Sequence, residues 1–342
     1  MTALEQRLLD TIQDAFPLEE RPYRVIADML NSQGDSCEQP ARQTVSEQQV
    51  FEAAENLRNT GVIRRVGGVY DSKKLGFISR LCAGKVPTVA TGASDDSALD
   101  KFAAAVNAVP AITHNYVRTH EYNVWFTVIA ENEAEVQNVV DRLCAETALH
   151  DVHVLSVTKK FKINTVMRGA GAPVGSRQLA VGRNNADESQ AELSLSDKAR
   201  IRVASTDIPH TLTPFKDWGV AIEELREDLT QKRMRRFGAI LRHQQAGFAY
   251  NAMVCFGFVK FPELAEGTCA GDLLAKNPHV SHCYERPAFE GFPYTLYAMM
   301  HAQSAGDLDR YVKEAAASIG NPDYVVLHSE RELKKTSFEF FA

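Results

Sequence analysis

Hydrophobic residues recur at helical spacing in three stretches near the start of the chain. They are Leu4, Leu8, Leu9 and Ile12, then Val25, Ile26 and Met29, then Val50, Phe51, Ala54 and Leu57. Pro22 stands where the second helix would begin, and Gly61 follows the third stripe. Residues three or four apart share one helix face, so the pattern predicts three short helices. A strand-like stretch at 62–70 comes next, and this order predicts a winged helix-turn-helix over residues 1–66.

The pattern then alternates between strand and helix periods. It predicts strands at 77–86, 111–118, 122–130 and 152–157, and helices at 97–106 and 133–146. Their order is βαββαβ, the ferredoxin-like arrangement, so residues 67–166 are predicted to form a domain of that type. Residues 167–195 contain several glycines and no apolar period, which is typical of a linker.

The second half of the chain repeats motifs of the first. Ile-Arg-Arg-Val-Gly-Gly at 63–68 returns as Met-Arg-Arg-Phe-Gly-Ala at 234–239, and His-Asn-Tyr-Val-Arg at 114–118 returns as His-Cys-Tyr-Glu-Arg at 282–286. Motifs repeated at a nearly constant offset indicate two related units. We predict a second winged helix-turn-helix over 196–238 and a second ferredoxin-like domain over 239–342. The fold class is therefore α+β, a tandem repeat with a pseudo-two-fold axis.

Local patterns in the second half support this division. They predict a helix around Ile222, Leu225 and Leu229, strands at 248–259, 280–286, 294–301 and 324–328, and helices at 264–275 and 308–317. Ferredoxin-like domains cover one sheet face with their helices. We expect the two uncovered faces to stack as an internal pseudo-dimer and to enclose a cavity.

Composition and charge limit the classes of protein to which the chain can belong. The 342 residues are 44% hydrophobic and 24% charged, which is ordinary for a globular protein, and the net charge is -6. The start of the chain lacks the basic and apolar segments of a secretion signal, and no apolar run is typical of a membrane span, so we expect a cytoplasmic protein. Six cysteines without a CxxC pair argue against a disulfide framework or a zinc site.

The predicted recognition helices are acidic. They carry Glu47, Glu52 and Glu55 in the first unit and Glu223, Glu224, Glu227 and Asp228 in the second. DNA binding depends on Lys and Arg that neutralise phosphates, so carboxylates at this position predict that the chain does not bind nucleic acid.

Candidate functional residues lie on predicted strands in both halves. Side chains alternate along a strand, so His114, Tyr116 and Arg118 share one face, and His282, Tyr284 and Arg286 repeat this ladder. The residues alone also fit an ordinary packing interface. Recurrence in both halves favours a functional site, although duplication preserves structural motifs as well.

Basic residues cluster at the predicted wings. The pairs are Arg64 with Arg65 and Arg235 with Arg236, and Gly67, Gly68 and Gly238 follow them. Local positive charge in an acidic protein suits a small polyanion, and the glycines would let a ligand approach the backbone. His243 lies near the second wing, where it fits an acid, an axial ligand to iron, or a surface residue.

These motifs resemble a known family. A winged helix joined to a ferredoxin-like unit is similar to the leucine-responsive class of regulators. Arg-Arg-x-Gly, His-Asn-Tyr-x-Arg and His-Cys-Tyr-x-Arg-Pro, over nearly the whole chain, resemble the sirohaem decarboxylases in the fused two-unit form of d1-haem biosynthesis. The resemblance implies a carboxy-lyase that removes the C12 and C18 acetate carboxyls of sirohaem to give didecarboxysirohaem. It implies no oxygen requirement and no cofactor of the protein's own, since the iron belongs to the substrate.

Roles for the candidate residues follow from this resemblance. His114 and His282 are the expected proton donors, with Arg65 and Arg236 as the catalytic arginines that hold or polarise the acetates. Other carboxylates and the substrate's polar groups are assigned to Arg64, Arg235, Tyr116, Tyr284, Arg118 and Arg286, with His243 near the iron.

Several questions stay open at this stage. A tetrapyrrole-sensing regulator and a sirohaem carrier would use the same residues. The sequence also leaves open which half is catalytic, whether a related decarboxylase subunit is required, and whether the chain forms a homodimer.

Overall fold

The computed structural model describes residues 1–32, 44–87, 97–163, 192–242, 250–257 and 269–342. The helices are α1 (Ala3–Ile12), α2 (Pro22–Ser32), α3 (Glu47–Asn59), α4 (Ser97–Ala108), α5 (Glu133–Glu146), α6 (Leu195–Ala204), α7 (Pro214–Trp218), α8 (Ile222–Thr230), α9 (Ala270–Lys276) and α10 (Ala305–Ser318). The strands are β1 (Ile63–Tyr70), β2 (Ile78–Lys85), β3 (Ile112–Arg118), β4 (Val124–Ala130), β5 (His150–Leu155), β6 (Lys159–Ile163), β7 (Met234–Leu241), β8 (Tyr250–Gly257), β9 (Val280–Glu285), β10 (Tyr294–Ala302) and β11 (Tyr324–Lys335).

The α1–α3 and α6–α8 helices form one body around a two-stranded ribbon. The ribbon pairs β1 with β7 in antiparallel fashion, and Gly67 lies opposite Gly238, its counterpart in the repeat. One hydrophobic core joins both sets of helices to the ribbon. Each unit's wing strand therefore pairs with the wing strand of the other unit.

The remaining described strands form a sheet in the order β5-β2-β4-β3-β11-β8-β10-β9-β6. Helices α4 and α5 cover the first part, and α9 and α10 cover the second. The uncovered faces stack on each other, as predicted, but aromatic side chains fill the centre of the space where we expected a cavity. Trp125 of the first part packs against Tyr297 and Phe292 of the second, with ring centroids 6.4 and 5.5 Å apart.

The last strand of each half crosses to the sheet of the other half. In β11, residues 324–328 pair with β8 and residues 329–335 pair with β3 of the first half. In the first half, β5 pairs with β2, whereas β6 pairs with β9 of the second half. The tandem α+β fold with its pseudo-two-fold axis is confirmed, and the crossing strands connect its halves.

Some predicted boundaries were wrong. The strand predicted to end at His328 continues to Lys335, and β6 was not predicted, because both segments are polar and show no clear alternation. Domain boundaries at 66 and 238 fall inside β1 and β7, which run on to Tyr70 and Leu241. Most of the predicted linker lies outside the described residues, and its last position, Leu195, begins α6.

The residues after β11 pack on the helical body. Phe340 is 7% exposed and contacts Phe77 and Tyr70, with ring centroids 5.5 and 6.3 Å apart. This segment therefore connects the end of the second ferredoxin-like domain to the first winged helix.

A buried ion cluster holds the second helical unit to the ribbon. The Asp228 side chain is fully buried, accepts a hydrogen bond from the Tyr70 hydroxyl at 2.9 Å, and pairs with Arg200 and Arg233 at 3.1 and 2.9 Å. Asp228 was predicted to be part of an acidic recognition surface, but its carboxylate points into the protein.

Asp228→Asn is expected to lower the free energy of unfolding by about 3 kcal/mol, because it removes the fully buried charge that Arg200 and Arg233 share. Asp197 remains 2.6 Å from Arg200 and 3.9 Å from Arg233 and keeps part of the pairing. Urea unfolding measures the change. Asp309→Asn, at an exposed position of α10, is the control with the same chemical change and is expected to stay within about 0.5 kcal/mol of the parent protein. Equal stability of the two variants would contradict this account.

Candidate active site

The ribbon contains two β-bulges, one at each pair of neighbouring arginines, so the two side chains of a pair point in different directions. Ile63 pairs with Leu241 and Arg65 with Ile240, so Arg64 is the extra residue of a bulge. At the other end, Val69 pairs with Arg236 and Tyr70 with Met234, so Arg235 is the extra residue of the equivalent bulge. Bulges re-aim side chains. Here they direct Arg64 and Arg235 away from the helices, toward the ladders of β3 and β9.

Arg65 and Arg236, the predicted catalytic arginines, lie on the helical side of the ribbon. Arg65 donates to the carbonyl of Thr206, just after α6, at 3.4 Å, and Arg236 donates to the carbonyl of Gln13, just after α1. Burial lowers the pKa of each guanidinium to about 10. Both arginines thus bind main-chain carbonyls just after α-helices, where such groups lack helical partners. Arg65 also donates through Nε to the Ser337 hydroxyl at 3.0 Å. The assignment of the two residues to the acetates stays a prediction.

The ribbon glycines were misinterpreted. A Cβ added to Gly238 would lie 2.7 Å from the Ile12 carbonyl oxygen and 2.8 Å from that of Gln13. A Cβ on Gly67 would overlap the carbonyl oxygen of Thr206, and one on Gly68 would lie 3.0 Å from that of Ala204. These glycines therefore let the ribbon backbone approach the C-terminal ends of α1 and α6.

Arg118 and Arg286, the arginines of the two ladders, are buried between the two stacked sheet faces. Arg118 is 3% exposed and donates to the Leu327 carbonyl at 3.0 Å, and Arg286 is 8% exposed and donates to the Leu155 carbonyl at 2.7 Å. Leu327 lies on β11, and Leu155 is the last residue of β5, so each of these carbonyls comes from the half that does not carry the arginine. Their guanidinium groups therefore bind the main chain of the other half. That they orient substrate carboxylates stays a prediction.

The ladder tyrosines lie above these arginines. Tyr116 stacks on Arg118 and Tyr284 on Arg286, with the guanidinium carbon 4.9 and 5.2 Å from the ring centroid. Burial raises the pKa of both phenols. They remain protonated at neutral pH and can donate a hydrogen bond to a carboxylate.

The two ladder histidines have equivalent surroundings. The Nδ1 atom of His114 lies 2.9 Å from the Thr113 hydroxyl, and that of His282 lies 3.0 Å from the Ser281 hydroxyl. In each half the preceding residue therefore engages Nδ1, so a proton passed to a ligand would leave from Nε2.

The charge around His282 is positive. Burial, together with Arg235, Lys335 and Lys162, lowers the pKa of His282 to about 4. These cations come from β7, β11 and β6, so three elements contribute to the field. The imidazole is neutral at pH 7 in the absence of a ligand.

This shift predicts a pH-dependent stability. Between pH 6.5 and 4 the unfolded chain binds a proton at His282 that the folded protein does not bind, so the free energy of unfolding falls as the pH is lowered through this range. His282→Gln removes the contribution and is expected to lose less stability than the parent protein between pH 7.5 and pH 5. Urea unfolding at both pH values measures the difference. Equal losses would show that His282 has an ordinary pKa in the folded protein.

Further charged residues complete two polar clusters. The first cluster is Arg64, His114, Tyr116, Arg242, Glu332 and Lys335, and the second cluster is Arg235, His282, Tyr284, Asp71, Lys160 and Lys162. Glu332 lies opposite Tyr116 on β3, and Lys160 lies opposite Tyr284 on β9. No sequence signal identified Glu332 or Lys160, because the strands that carry their side chains to the ladders come from distant parts of the chain.

Other candidates lie elsewhere. His243 falls outside the described residues. His150 and His153 lie on β5, and the His153 ring stacks on Phe289 at 4.1 Å. In the parts of the chain that the structure describes, no group of three or more His, Cys, Asp or Glu residues could hold a metal ion, and no helix is both long and apolar enough to cross a bilayer.

Comparisons with known proteins agree with the repeated architecture. A family model of the AsnC-like ligand binding domain matches residues 74–162 and 245–334, and a model described as "Siroheme decarboxylase NirDL-like HTH domain" matches residues 5–36. The two-fold match covers both ferredoxin-like domains. The chain is thus a tandem protein of the AsnC-like ligand-binding class, with helix-turn-helix units whose wings pair with each other.

Relatives that match over most of their own length define the family more closely. The chain is 28% identical to "Siroheme decarboxylase" of Hydrogenobacter thermophilus, with 98% of this chain and 94% of the relative covered. It is 38% identical over 168 residues to "Siroheme decarboxylase alpha subunit" of Desulfovibrio desulfuricans, with 49% of this chain and 84% of the relative covered. The chain belongs to the siroheme decarboxylase family.

A solved structure has the same arrangement. The crystal structure of the siroheme decarboxylase NirDL superimposes with a TM-score of 0.65 at 26% identity, and covers 99% of this chain and 94% of that one. Its complex with an iron-uroporphyrin III analogue gives a TM-score of 0.64 at 25% identity, with coverage of 99% and 95%.

Proposed function

We propose that this chain is a cytoplasmic sirohaem decarboxylase that removes the C12 and C18 acetate carboxyls of sirohaem to give didecarboxysirohaem. The observation that carries this proposal is the bulged Arg64 beside His114 and Tyr116, in a chain of the siroheme decarboxylase family. Membership of this family and the likeness to a protein solved with an iron-uroporphyrin analogue support a tetrapyrrole substrate. A place in d1-haem or alternative haem biosynthesis is part of the proposal.

Recognition of sirohaem is expected to rest on charge. The substrate carries carboxylates around an apolar macrocycle, and a guanidinium can hold a carboxylate through two parallel hydrogen bonds. Arg64 and Lys335 share the first cluster with Tyr116, where a carboxylate could also accept a hydrogen bond from the phenol. The side chains of the first cluster therefore suit the acetate groups.

Each decarboxylation breaks the bond between the acetate methylene and its carboxyl carbon. The electron pair stays on the methylene carbon, where the conjugated ring can delocalise it, and carbon dioxide leaves. A proton must then be delivered to that carbon to form the methyl group, and a ladder histidine is the expected donor. This sequence consumes no oxidant or reductant, so we propose that it needs neither oxygen nor a cofactor of the protein's own, the iron being part of the substrate.

Anaerobic incubation of the full chain with sirohaem, followed by mass spectrometry of the extracted tetrapyrrole, tests this function. The expected product is lighter than sirohaem by two carbon dioxides. Bound but unchanged sirohaem, with or without a related decarboxylase subunit added, would overturn the proposal in favour of a carrier.

The chain is not expected to bind nucleic acid. Both wing strands pair within the ribbon, and Glu52 and Glu55 are exposed on α3. A gel shift with duplex DNA, with and without sirohaem, is therefore expected to be negative. The same protein sample analysed by light scattering determines whether a homodimer forms.

A further inference from the structure

The first and second clusters occupy equivalent places in the repeat, but their charges are exchanged. Position 71, just after β1, is an aspartate, whereas its counterpart just after β7 is Arg242. On the crossing strands, Lys160 lies opposite Tyr284, whereas Glu332 lies opposite Tyr116. The acidic member of each cluster therefore sits at a different point relative to the bulged arginine.

In the second cluster, the carboxylate already binds the arginine. Asp71 lies 3.0 Å from the Nη2 atom of Arg235 and accepts a hydrogen bond from its Nε at 3.1 Å. Both side chains are largely buried, with exposures of 23% for Asp71 and 28% for Arg235. Both nitrogens contact the same oxygen of Asp71, Oδ2, so this edge of Arg235 is occupied by a charge-assisted hydrogen bond.

In the first cluster, the equivalent arginine has neutral partners. Arg64 donates to the Ser337 hydroxyl at 2.8 Å and to the Lys335 carbonyl at 3.4 Å. Arg242 takes the place of the aspartate, and its positive charge, together with burial, lowers the pKa of Arg64. Neither arginine forms an ion pair with a described residue.

Two guanidinium groups without a carboxylate partner favour an incoming anion. Glu332 is exposed to solvent and lies beside Tyr116, and its charge acts to raise the pKa of Arg64 and of the Tyr116 phenol. Among the described residues, neither Glu332 nor any other carboxylate is ion-paired with Arg64, whereas in the second cluster Asp71 already pairs with Arg235. The bulged arginine of the first cluster is therefore the one that can take a carboxylate from a ligand.

We propose that the first cluster, through Arg64 and Arg242, binds the reacting acetate of the tetrapyrrole, and that Asp71 closes the second cluster to substrate carboxylates. This inference rests on the proposed function and assigns it to one half. It also gives Asp71 a specificity role, because its side chain occupies the place that a substrate carboxylate would take on Arg235.

The lowered pKa of His282 agrees with this assignment. Burial and the surrounding cations hold the pKa of His282 near 4, so the ring carries no extra proton to donate at neutral pH. A carboxylate arriving beside it would raise that pKa, but Asp71 occupies the arginine that would hold such a group.

Titration of the full chain with iron-uroporphyrin III, an eight-carboxylate probe, tests the proposal through absorbance changes of the bound haem. The wild type is expected to bind one equivalent. Arg64→Met is expected to weaken this binding by roughly 10- to 100-fold, as for loss of a charge-assisted hydrogen-bond pair, and Arg64→Lys to restore part of it. Arg235→Met is expected to change it by less than about threefold. Circular dichroism and thermal unfolding identify any variant that does not fold.

Asp71→Asn tests whether the second cluster can gain the ability to bind the probe. It frees Arg235 and is expected to add a second equivalent of probe, while Asp309→Asn, the same change at an exposed site, adds none. A second equivalent in the wild type, or a greater loss for Arg235→Met than for Arg64→Met, would overturn the proposal while leaving the decarboxylase function intact. No binding of the probe or of sirohaem by the wild type would overturn both.

Discussion

Replacing His114 with glutamine is expected to lower the rate of sirohaem decarboxylation by roughly 100- to 10,000-fold, the usual contribution of a positioned general acid. Glutamine keeps the polarity and approximate size of the side chain but cannot transfer a proton in this pH range. The substrate carboxylates should still bind through Arg64, so the loss is expected in the rate constant rather than in the affinity. Single-turnover reactions under anaerobic conditions, analysed by mass spectrometry, separate the two quantities.

His282→Gln is the matched comparison, because both histidines follow a hydroxyl residue that engages Nδ1. We expect a change of less than about tenfold, since the second cluster is closed by Asp71. His150→Gln, at an exposed position of β5, serves as the control for a histidine outside both clusters. If His282→Gln lost more activity than His114→Gln, the second half would be the catalytic half and the assignment of the proton donor would be reversed.

Gly67→Ala is expected to destabilise the protein by about 3 kcal/mol, at the upper end of the usual cost of overpacking. The added Cβ would overlap the carbonyl oxygen of Thr206, which belongs to the backbone and cannot rotate away as a side chain could. The ribbon would have to separate from the end of α6, where Arg65 also binds. Urea unfolding monitored by circular dichroism measures the effect.

Gly306→Ala is the matched control for this substitution. A Cβ at position 306 meets no atom within 4 Å, and the residue lies in the first turn of α10. Alanine is favoured over glycine in helices, so this variant is expected to be as stable as the parent protein or slightly more stable. Should Gly67→Ala match Gly306→Ala, the contact between the ribbon and α6 would contribute little to stability.

The arginine pairs show where sequence reasoning reached its limit. Arg-Arg followed by glycine marked a repeated segment in each half, but it did not show which member of each pair faces the ladder. Whether Arg64 or Arg65 faces the ladder depends on which residue of the strand is bulged, and a bulge is set by the pairing of β1 with β7. That pairing joins segments about half the chain apart, so local patterns could not reveal it.

The ladders show the same division between local and distant information. Strand alternation correctly placed His114, Tyr116 and Arg118 on one face, because the two-residue period is a property of the local backbone. It could not show that the carbonyl of Leu327 would bind Arg118, since that carbonyl arrives on a crossing strand from the other half. Glu332 and Lys160 were missed for the same reason.

The sequence by itself determined the repeat, the α+β class, the order of most helices and strands, and the family resemblance, because each depends on periodicity and motifs that neighbouring residues carry. Only the tertiary structure decided which arginine faces the ladders, which glycines are needed for backbone contacts, and how Asp71 and Arg242 distinguish the two halves. Those properties depend on distances between residues far apart in the chain. Such distances exist only after the strands have crossed and the sheets have packed.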